Sequence, residues 1–449
     1  MVVTWLLRRR RQILIFSLIW FLINCTSFHK VEVKPLPGNV VADVISTMTD
    51  IMVHDITNPP LAARFFAYAC LAGYEVMSFK DSSYASMHEV LNQYPVVKHP
   101  ISKSEEVELT AVLAMMATAE KIMPSGYILD SLRQNLFEEC ASNGYTSAMI
   151  EDSKVYADEI SRQILKYIKE DGYDKMSQYP RYSPTEGEGN WYPTPPGYFP
   201  PVEPYFSTIR PFILNAGDQF PAQDMIPFSS DEDSPFMQAV MEVYNVERSE
   251  EEKEIAAFWD CNPFALKESG HLMIGLKKIS PGAHWMGIAN IACAKQELDF
   301  KETMYVNTVL AVTMMDGFLA CWESKYRTDR IRPETVIRKY LDPQWKPFLQ
   351  TPPFPEYTSG HSVVSTACGH ILTQLFGSNF AFDDTVELRF GLPVRSFSSF
   401  KQAAEEAAIS RLYGGIHYMD AIVDGQAQGL KVGQYAVEKL NIEINKYGD

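Results

Sequence analysis

Cysteine and positive charge are both scarce in this chain of 449 residues. It carries 40 Lys and Arg against 56 Asp and Glu, a net charge of −16, which argues against a nucleic-acid-binding protein because such proteins need basic surface. The seven cysteines include no CxxC pair, so the sequence favours buried free thiols over a zinc or redox motif. Mean hydropathy is −0.15, which argues against a polytopic membrane protein.

Residues 1–25 have the pattern of a secretory signal. A basic cluster at 8–11 precedes an apolar run at 13–23, which rises only about 16 Å as a helix and is too short to span a bilayer. Because Cys25 follows, the segment resembles a bacterial lipoprotein signal, with a plain signal peptide or an uncleaved anchor as alternatives. We expect residues 26–39 to form a tether and the folded part to lie outside the cytoplasm, held at the membrane by lipid on Cys25.

Helical periodicity dominates the rest of the chain and strand signals are scarce. The pattern predicts an all-α fold with helices packed in bundles or layers. The predicted helices are residues 41–50, 61–77, 105–123, 145–170, 303–327, 362–376, 400–411 and 421–440.

Proline and aromatic residues are concentrated in the middle of the chain, above all at 190–212. Proline cannot sit inside helices or central strands, so we expect extended chain packed over the core, with a ligand for a polyproline-binding domain as the alternative. The sequence therefore divides into a helical region at 40–180, a loop region at 181–248 and a second helical region at 249–449. We expect 40–449 to fold as one compact unit.

Three short blocks in the last third carry candidate chemistry, and the first is KYRTDRIRP. Lys325 and Arg332 are seven residues apart, which places them on one face if a helix continues to Arg332. Pro333 disfavours helix at Arg332, so we expect the helix to end there. Two cations can then point from a helix end toward one anion. A solvated basic helix end is the alternative.

The second block is PEYTSGHS, just before an amphipathic helix. Free N–H groups at a helix N-terminus suit an oxyanion, Gly360 lets the backbone approach it closely, and Ser359 adds a hydroxyl donor. His361, in the first turn, can shuttle a proton. The alternative is an ordinary N-cap with an incidental histidine.

The third block is ISRLYGGIHYMD. Arg411 ends an alanine-rich helix that Gly414 and Gly415 break, and His417 follows. An arginine that binds an oxyanion and a histidine that attacks or ligates fit one site. A glycine turn with a buried histidine is the alternative. Three such blocks in this order are not credible as an accident.

Together the blocks read KxxxxxxRP, SGH and SRxxxxxH. This pattern resembles the superfamily shared by vanadium-dependent haloperoxidases and type 2 phosphatidic-acid-phosphatase-like acid phosphatases, and HDITNPPLAARFFAYACLAGYEV resembles soluble bacterial haloperoxidase-like members. The resemblance implies a mainly helical fold with the anion at one end of a helix bundle. It implies that Lys325, Arg332 and Arg411 neutralise the anion, that Ser359 and Gly360 donate hydrogen bonds, that His361 is the acid–base residue, and that His417 binds vanadium axially or attacks phosphorus.

The resemblance is incomplete beside the axial histidine. The family often has an aspartate four residues later that orients the ring, and here that position is Ala421. Asp420 or Asp424 could substitute, although Asp420 could instead cap the last helix. Phe354 lies five residues before Ser359, at a position that faces the halide side of the pocket in the haloperoxidases. Chloride-oxidising members tend to hold Phe there.

Three functions remain open at this point. The first is a vanadate-dependent peroxidase with hydrogen peroxide and halide as substrates. The second is an acid phosphatase that works through a phosphohistidine and needs no cofactor, and the third is a non-catalytic oxyanion-binding lipoprotein. A soluble body favours the peroxidase over membrane-embedded lipid phosphatases, which need several spanning helices. We expect His284 to be a packing residue and assign no role to Asp260.

Overall fold

The computed structural model describes residues 33–269 and 272–448, and there the chain is mainly helical, as the sequence predicts. Two short antiparallel strand pairs complete it, β1 (Leu266–Ser269) with β2 (Leu272–Gly275) and β3 (Phe382–Asp384) with β4 (Arg395–Phe397). The α-helices are α1 Asn39–His54, α2 Pro59–Lys80, α3 Val107–Ile122, α4 Leu129–Ser142, α5 Ser147–Lys169, α6 Pro235–Tyr244, α7 Glu250–Phe258, α8 Pro281–Lys295, α9 Phe300–Thr328, α10 Pro333–Tyr340, α11 Gly360–Phe376, α12 Phe400–Tyr413 and α13 Met419–Lys439.

Most helices begin where a polar side chain caps the first turn. At α2, Asn58 accepts a hydrogen bond from the Leu61 N–H, and Pro59 and Pro60 fill the first two positions, where a missing N–H costs nothing. Other caps of this kind are Thr146, Ser234, Ser249, Ser280, Asp299, Ser359 and Ser399. Local side-chain chemistry therefore sets these boundaries.

Helix α9 lies at the centre and packs against α2, α8, α11 and α13. Within the described ranges it is the one helix long and apolar enough to cross a membrane, and its apolar window is wholly enclosed by the fold. One hydrophobic cluster joins side chains from Leu36 to Tyr447, so the two helical regions share a core.

The proline-rich middle is ordered chain packed on the core. Trp191 and Phe206 are fully buried, and the Trp191 N–H donates to the Asp329 carbonyl at 2.7 Å. The predicted loop region also contains a helix that we did not predict, α6. Ser234 caps it, Pro235 occupies its first position, and its apolar side chains enter a second, smaller core cluster. Helices α4, α7, α8 and α10 were not among the predicted helices either.

The signal segment, Cys25 and most of the predicted tether lie outside the described residues. The described part of the tether, 33–38, packs on the body: Leu36 is buried and its N–H donates to the Glu108 carboxylate at 2.6 Å. The six cysteines in the described part of the chain are buried free thiols, as predicted.

Candidate active site

The Lys325 ammonium lies beneath the N-terminus of α11. It comes from the last turn of α9 and is fully buried. Its Nζ donates to the carbonyl oxygens of Pro355 at 3.0 Å, Glu356 at 3.1 Å and Thr358 at 2.5 Å. These bonds hold the charge at one point and tie α9 to the segment that leads into α11.

Arg332 reaches the same place by a different route from the predicted one. Helix α9 ends at Thr328, and Arg332 is the residue that precedes α10, whose first position is Pro333. The condition for a shared helix face, one helix that continues to Arg332, is therefore not met, because Pro333 begins a new helix. The guanidinium is fixed by the carbonyl oxygens of Phe354, 3.0 Å from Nε, and Ile416, 2.9 Å from Nη1.

Arg411 and His361 share one backbone acceptor. The carbonyl oxygen of Trp259, just after α7, lies 2.6 Å from Arg411 Nη2 and 3.0 Å from His361 Nε2. Because a carbonyl can only accept, His361 Nε2 must carry a hydrogen, and Nδ1 is the ring nitrogen that can accept a proton. Trp259 thus sets the orientation of two predicted site residues.

His417 is held by a carboxylate to which the sequence analysis gave no role. Its Nδ1 lies 2.7 Å from Glu356 Oε1, which also accepts the N–H of Tyr418 at 3.1 Å. On the other side, Arg332 Nη1 lies 3.1 Å from Nε2. A guanidinium can only donate, so Nε2 carries the lone pair and Nδ1 the hydrogen. The ring therefore presents an unprotonated nitrogen to the cations.

The two aspartates proposed to orient His417 lie elsewhere. Asp420 accepts two hydrogen bonds from Arg330, at 2.7 and 2.8 Å, and Asp424 accepts one from a tyrosine hydroxyl at 2.9 Å. Arg330 Nε lies 3.3 Å from Glu356 Oε2. Glu356 therefore takes the place expected for Asp420 or Asp424, and Asp420 acts on the ring only through Arg330 and Glu356.

Ser359 and Gly360 form the start of α11 beside these groups. Ser359 Oγ accepts the N–H of Ser362 at 3.3 Å, so its own hydroxyl hydrogen is free to donate elsewhere. Gly360 is the first helical residue, and its N–H has no intrahelical acceptor. Both donors add to the positive end of the helix dipole.

One cavity connects the predicted site residues. His361 and His417 line it together with Gly360 and Arg411. Phe354 forms part of its wall, with the ring centre 5.1 Å from Lys325 Nζ. Lys325 and Arg332 lie behind this lining, fully buried. The residues predicted for one anion site thus converge on one end of the α9, α11 and α12 helices.

Crowded positive charge shifts the titration of these groups. Burial, together with the neighbouring Arg332, lowers the pKa of Lys325 to about 7, and burial lowers the pKa of Arg332 to about 10. Burial and the charges of Arg411 and His417 hold the pKa of His361 well below its usual value. The pKa of His417 is lowered in the same way by burial and by Arg332. Each shift reports a site that resists further positive charge.

The three cations Lys325, Arg332 and Arg411 have no counter-ion in the described part of the chain. Among the described residues, no carboxylate oxygen lies within 4.0 Å of the charged nitrogens of Lys325, Arg332 or Arg411, because Glu356 pairs with Arg330 and His417. Arg332 Nη2 is buried without any hydrogen-bond partner. Buried charge of one sign is costly unless it is paired, so the site is built to receive an anion.

Comparison with known proteins gives the family. The family model described as the VCPO second helical-bundle domain matches residues 305–446. A bacterial vanadium-dependent iodoperoxidase of known structure is 42% identical, covers 93% of this chain and 100% of its own, and superposes with a TM-score of 0.86. The chain belongs to the vanadium-dependent haloperoxidase superfamily.

Two further relatives match less of the molecule. A bacterial vanadium-dependent chloroperoxidase, 15% identical over 86% of this chain and 92% of its own with a TM-score of 0.62, shares the fold. A vanadium-dependent bromoperoxidase from Corallina officinalis is 34% identical over 162 residues, which are 33% of this chain and 26% of that protein. The match thus spans about a quarter of that enzyme's length.

The residues present fit the vanadate that the superfamily implies. Vanadate is a tetrahedral oxyanion, and the site offers three cations without counter-ions and one unpartnered guanidinium nitrogen, Arg332 Nη2. His417 Nε2 adds a lone pair for the metal. The donor set therefore matches both the charge and the ligand chemistry of that group.

Sequence reasoning missed two contributors. Glu356 lies in the block that was singled out, three residues before Ser359, and an acidic residue among so many oxyanion donors was a usable signal. Trp259 contributes through its backbone carbonyl, which no side-chain pattern reveals.

Proposed function

We propose that this haloperoxidase binds vanadate at the site around His417 and oxidises iodide with hydrogen peroxide. The observation that carries the proposal is the deprotonated Nε2 of a His417 ring that Glu356 holds at Nδ1, beside three cations with no carboxylate partner among the described residues. Vanadate, when bound, supplies a Lewis-acid centre that activates peroxide toward halide.

The cations and donors of the chain would hold the anion. His417 Nε2 would ligate vanadium, and Lys325, Arg332 and Arg411 would balance the oxyanion charge. The Ser359 hydroxyl and the Gly360 N–H would donate hydrogen bonds to its oxygens. The three cations are already fixed by contacts with the fold, and the rearrangement that binding would require is the release of His417 Nε2 from its hydrogen bond with Arg332 Nη1.

His361 would manage the protons. Because its pKa is lowered by burial and by Arg411, the ring is neutral near neutral pH. Its Nδ1 can then accept a proton from hydrogen peroxide while Nε2–H stays bonded to the Trp259 carbonyl. The surrounding positive charge disfavours the imidazolium, so the ring readily returns the proton to a leaving oxygen.

Iodide is the halide that we propose. It is the most easily oxidised of the common halides, and the 42% identical relative is an iodoperoxidase. The cavity wall contains Phe318, Trp322 and Phe354, and a large, polarisable anion loses less hydration energy against such a wall than chloride does.

A reconstitution assay tests the proposal. Metal-free protein is incubated with orthovanadate and given peroxide with iodide, bromide or chloride, and in parallel an aryl phosphate without vanadate. We expect vanadate-dependent iodide oxidation that His417→Ala abolishes and that His370→Ala, a control histidine on α11 that does not line the cavity, retains. Full activity in His417→Ala contradicts the ligand assignment. Phosphate release that vanadate inhibits would support an acid phosphatase instead.

We also propose that the protein is an extracytoplasmic lipoprotein. The support is the basic cluster, the short apolar run and Cys25, in that order along the chain. Mass spectrometry of the mature N-terminus from a bacterial membrane fraction is expected to find lipid on Cys25. An N-terminus without lipid contradicts this, and Cys25→Ser is expected to release the protein from the membrane.

A further inference from the structure

A second group of ligating side chains lies behind Trp259, outside the anion site. Cys261 Sγ is 3.5 Å from His284 Nδ1, which is 3.6 Å from Glu387 Oε1, and the sulfur and that oxygen are 3.9 Å apart. All three residues are buried. They come from the segment after α7, from α8 and from the turn after β3, and the outer two are 126 residues apart.

We propose that Cys261, His284 and Glu387 bind a zinc ion. An ion in the plane of the three atoms and equidistant from them would lie about 2.1 Å from each, which matches zinc bonds to nitrogen and oxygen and is about 0.2 Å shorter than a zinc–sulfur bond. A thiolate, an imidazole and a carboxylate are also the ligand types that zinc takes in proteins. Three protein ligands leave a fourth coordination position for water.

The surroundings of His284 are those of a metal ligand. Its Nε2 lies 2.8 Å from Asp384 Oδ2, and the other oxygen of Asp384 accepts the N–H of Val386 at 3.0 Å. A carboxylate bonded to the far nitrogen of a ligating histidine fixes the ring and makes the near nitrogen a better ligand. The nitrogen left for the metal is Nδ1, the one that faces Cys261 and Glu387.

The ion would also stiffen the segment that carries Trp259. The Trp259 ring stacks on His284 with centroids 4.6 Å apart, and its carbonyl accepts the bonds from His361 and Arg411. Cys261 lies two residues further on and lines the active-site cavity, which gives the ion a path of entry. A structural zinc would thus fix the acceptor shared by two active-site residues.

Metal counting on the full chain tests this without vanadate or halide, so its result is independent of the proposed peroxidase activity. EDTA-treated protein is dialysed against zinc and counted by plasma mass spectrometry, and cobalt is substituted to look for thiolate-to-cobalt charge-transfer absorption. We expect one zinc per chain and a cobalt band that Cys261→Ser removes. Cys140→Ser removes a buried thiol that belongs to no cluster of ligating atoms in the described part of the chain, and this variant keeps both. Asp384→Asn should weaken zinc binding about 10–100-fold.

Two results would overturn the site. One is wild-type protein that retains less than about a tenth of an equivalent of zinc, in which case the cluster is a buried charge network only. The other is Cys261→Ser with the zinc content and cobalt spectrum of the wild type. Should Cys261→Ser not fold, Glu387→Gln replaces it, with an expected loss in zinc affinity of at least about tenfold and an unchanged thiolate band at saturating cobalt.

Discussion

Replacing Glu356 with glutamine tests how the chain prepares His417 for its metal. The carboxylate can only accept, so it keeps the hydrogen of His417 on Nδ1 and the lone pair on Nε2. A glutamine amide can also donate, which allows the other tautomer, with a hydrogen on Nε2 directed at the metal position. The substitution keeps the size and removes both the charge and the tautomer bias.

The expected loss of vanadate affinity follows from the contact between Glu356 and His417 Nδ1, the one that bears on the metal ligand. Partners that orient metal-bound histidines are worth about 10–100-fold in metal affinity, or about 1.4–2.7 kcal/mol. Fold stability should change less than that, because Arg330 keeps its two bonds to Asp420, at 2.7 and 2.8 Å. The predicted phenotype is therefore a weak vanadate site in a folded protein.

Calorimetric titration of metal-free protein with vanadate measures this directly, with thermal unfolding as the check on folding. Asp424→Asn is the matched control, since Asp424 bonds a tyrosine hydroxyl and does not contact His417. The reasoning fails if Glu356→Gln binds vanadate with wild-type affinity while folded. It also fails if Asp424→Asn loses as much affinity as Glu356→Gln.

Three further predictions concern single groups. The affinity for sulfate, measured by calorimetry from about pH 6 to about pH 9, should fall as the pH rises through about 7. The reason is that Lys325 has a pKa of about 7 and must regain its proton to bind an anion, so the loss is up to about tenfold per pH unit. An affinity that does not change with pH contradicts this. His361→Ala should lower kcat by about 10²–10⁴-fold and change the vanadate Kd less than tenfold; an equal loss in both contradicts a proton-transfer role. The Asp316 carboxylate accepts the buried backbone N–H groups of 212–214 and so anchors this segment to α9. Asp316→Ala leaves each N–H without its acceptor, at a cost of about 1–3 kcal/mol each, and should lower Tm sharply. An unchanged Tm refutes this anchoring role.

Helices whose ends carry local chemistry were predictable from the sequence. The prolines after Asn58 and the serine before Gly360 mark the starts of α2 and α11, and apolar periodicity predicts their length. Helix α6 was missed because its surroundings are proline-rich and because it spans only ten residues. Its boundary signal, Ser234 followed by Pro235, is of the same kind as Asn58 followed by Pro59 at α2. The helix was missed because the proline-rich composition was given more weight than this capping signal.

The site was predictable as a set of residues and not as a set of contacts. Its cations, serine, glycine and histidines stand in ordered blocks, and each block could be read alone. Their connections depend on tertiary packing: Glu356 meets His417 across 61 residues, and the Trp259 carbonyl meets His361 across 102. The position of Arg332 illustrates the difference, because a seven-residue spacing suggested one helix although the chain turns into a second.

The placement of the carboxylates explains how a chain of net charge −16 maintains an anion site. A carboxylate beside Lys325, Arg332 or Arg411 would stabilise the empty fold and would then compete with the anion for the same charge. Glu356 and Asp420 instead bind Arg330, which does not line the cavity, and the Glu356 carboxylate acts on the site through the far nitrogen of His417. The carboxylates therefore order the site without neutralising it. The cost of burying three unpaired cations, visible in the lowered pKa of Lys325, is recovered when an oxyanion binds.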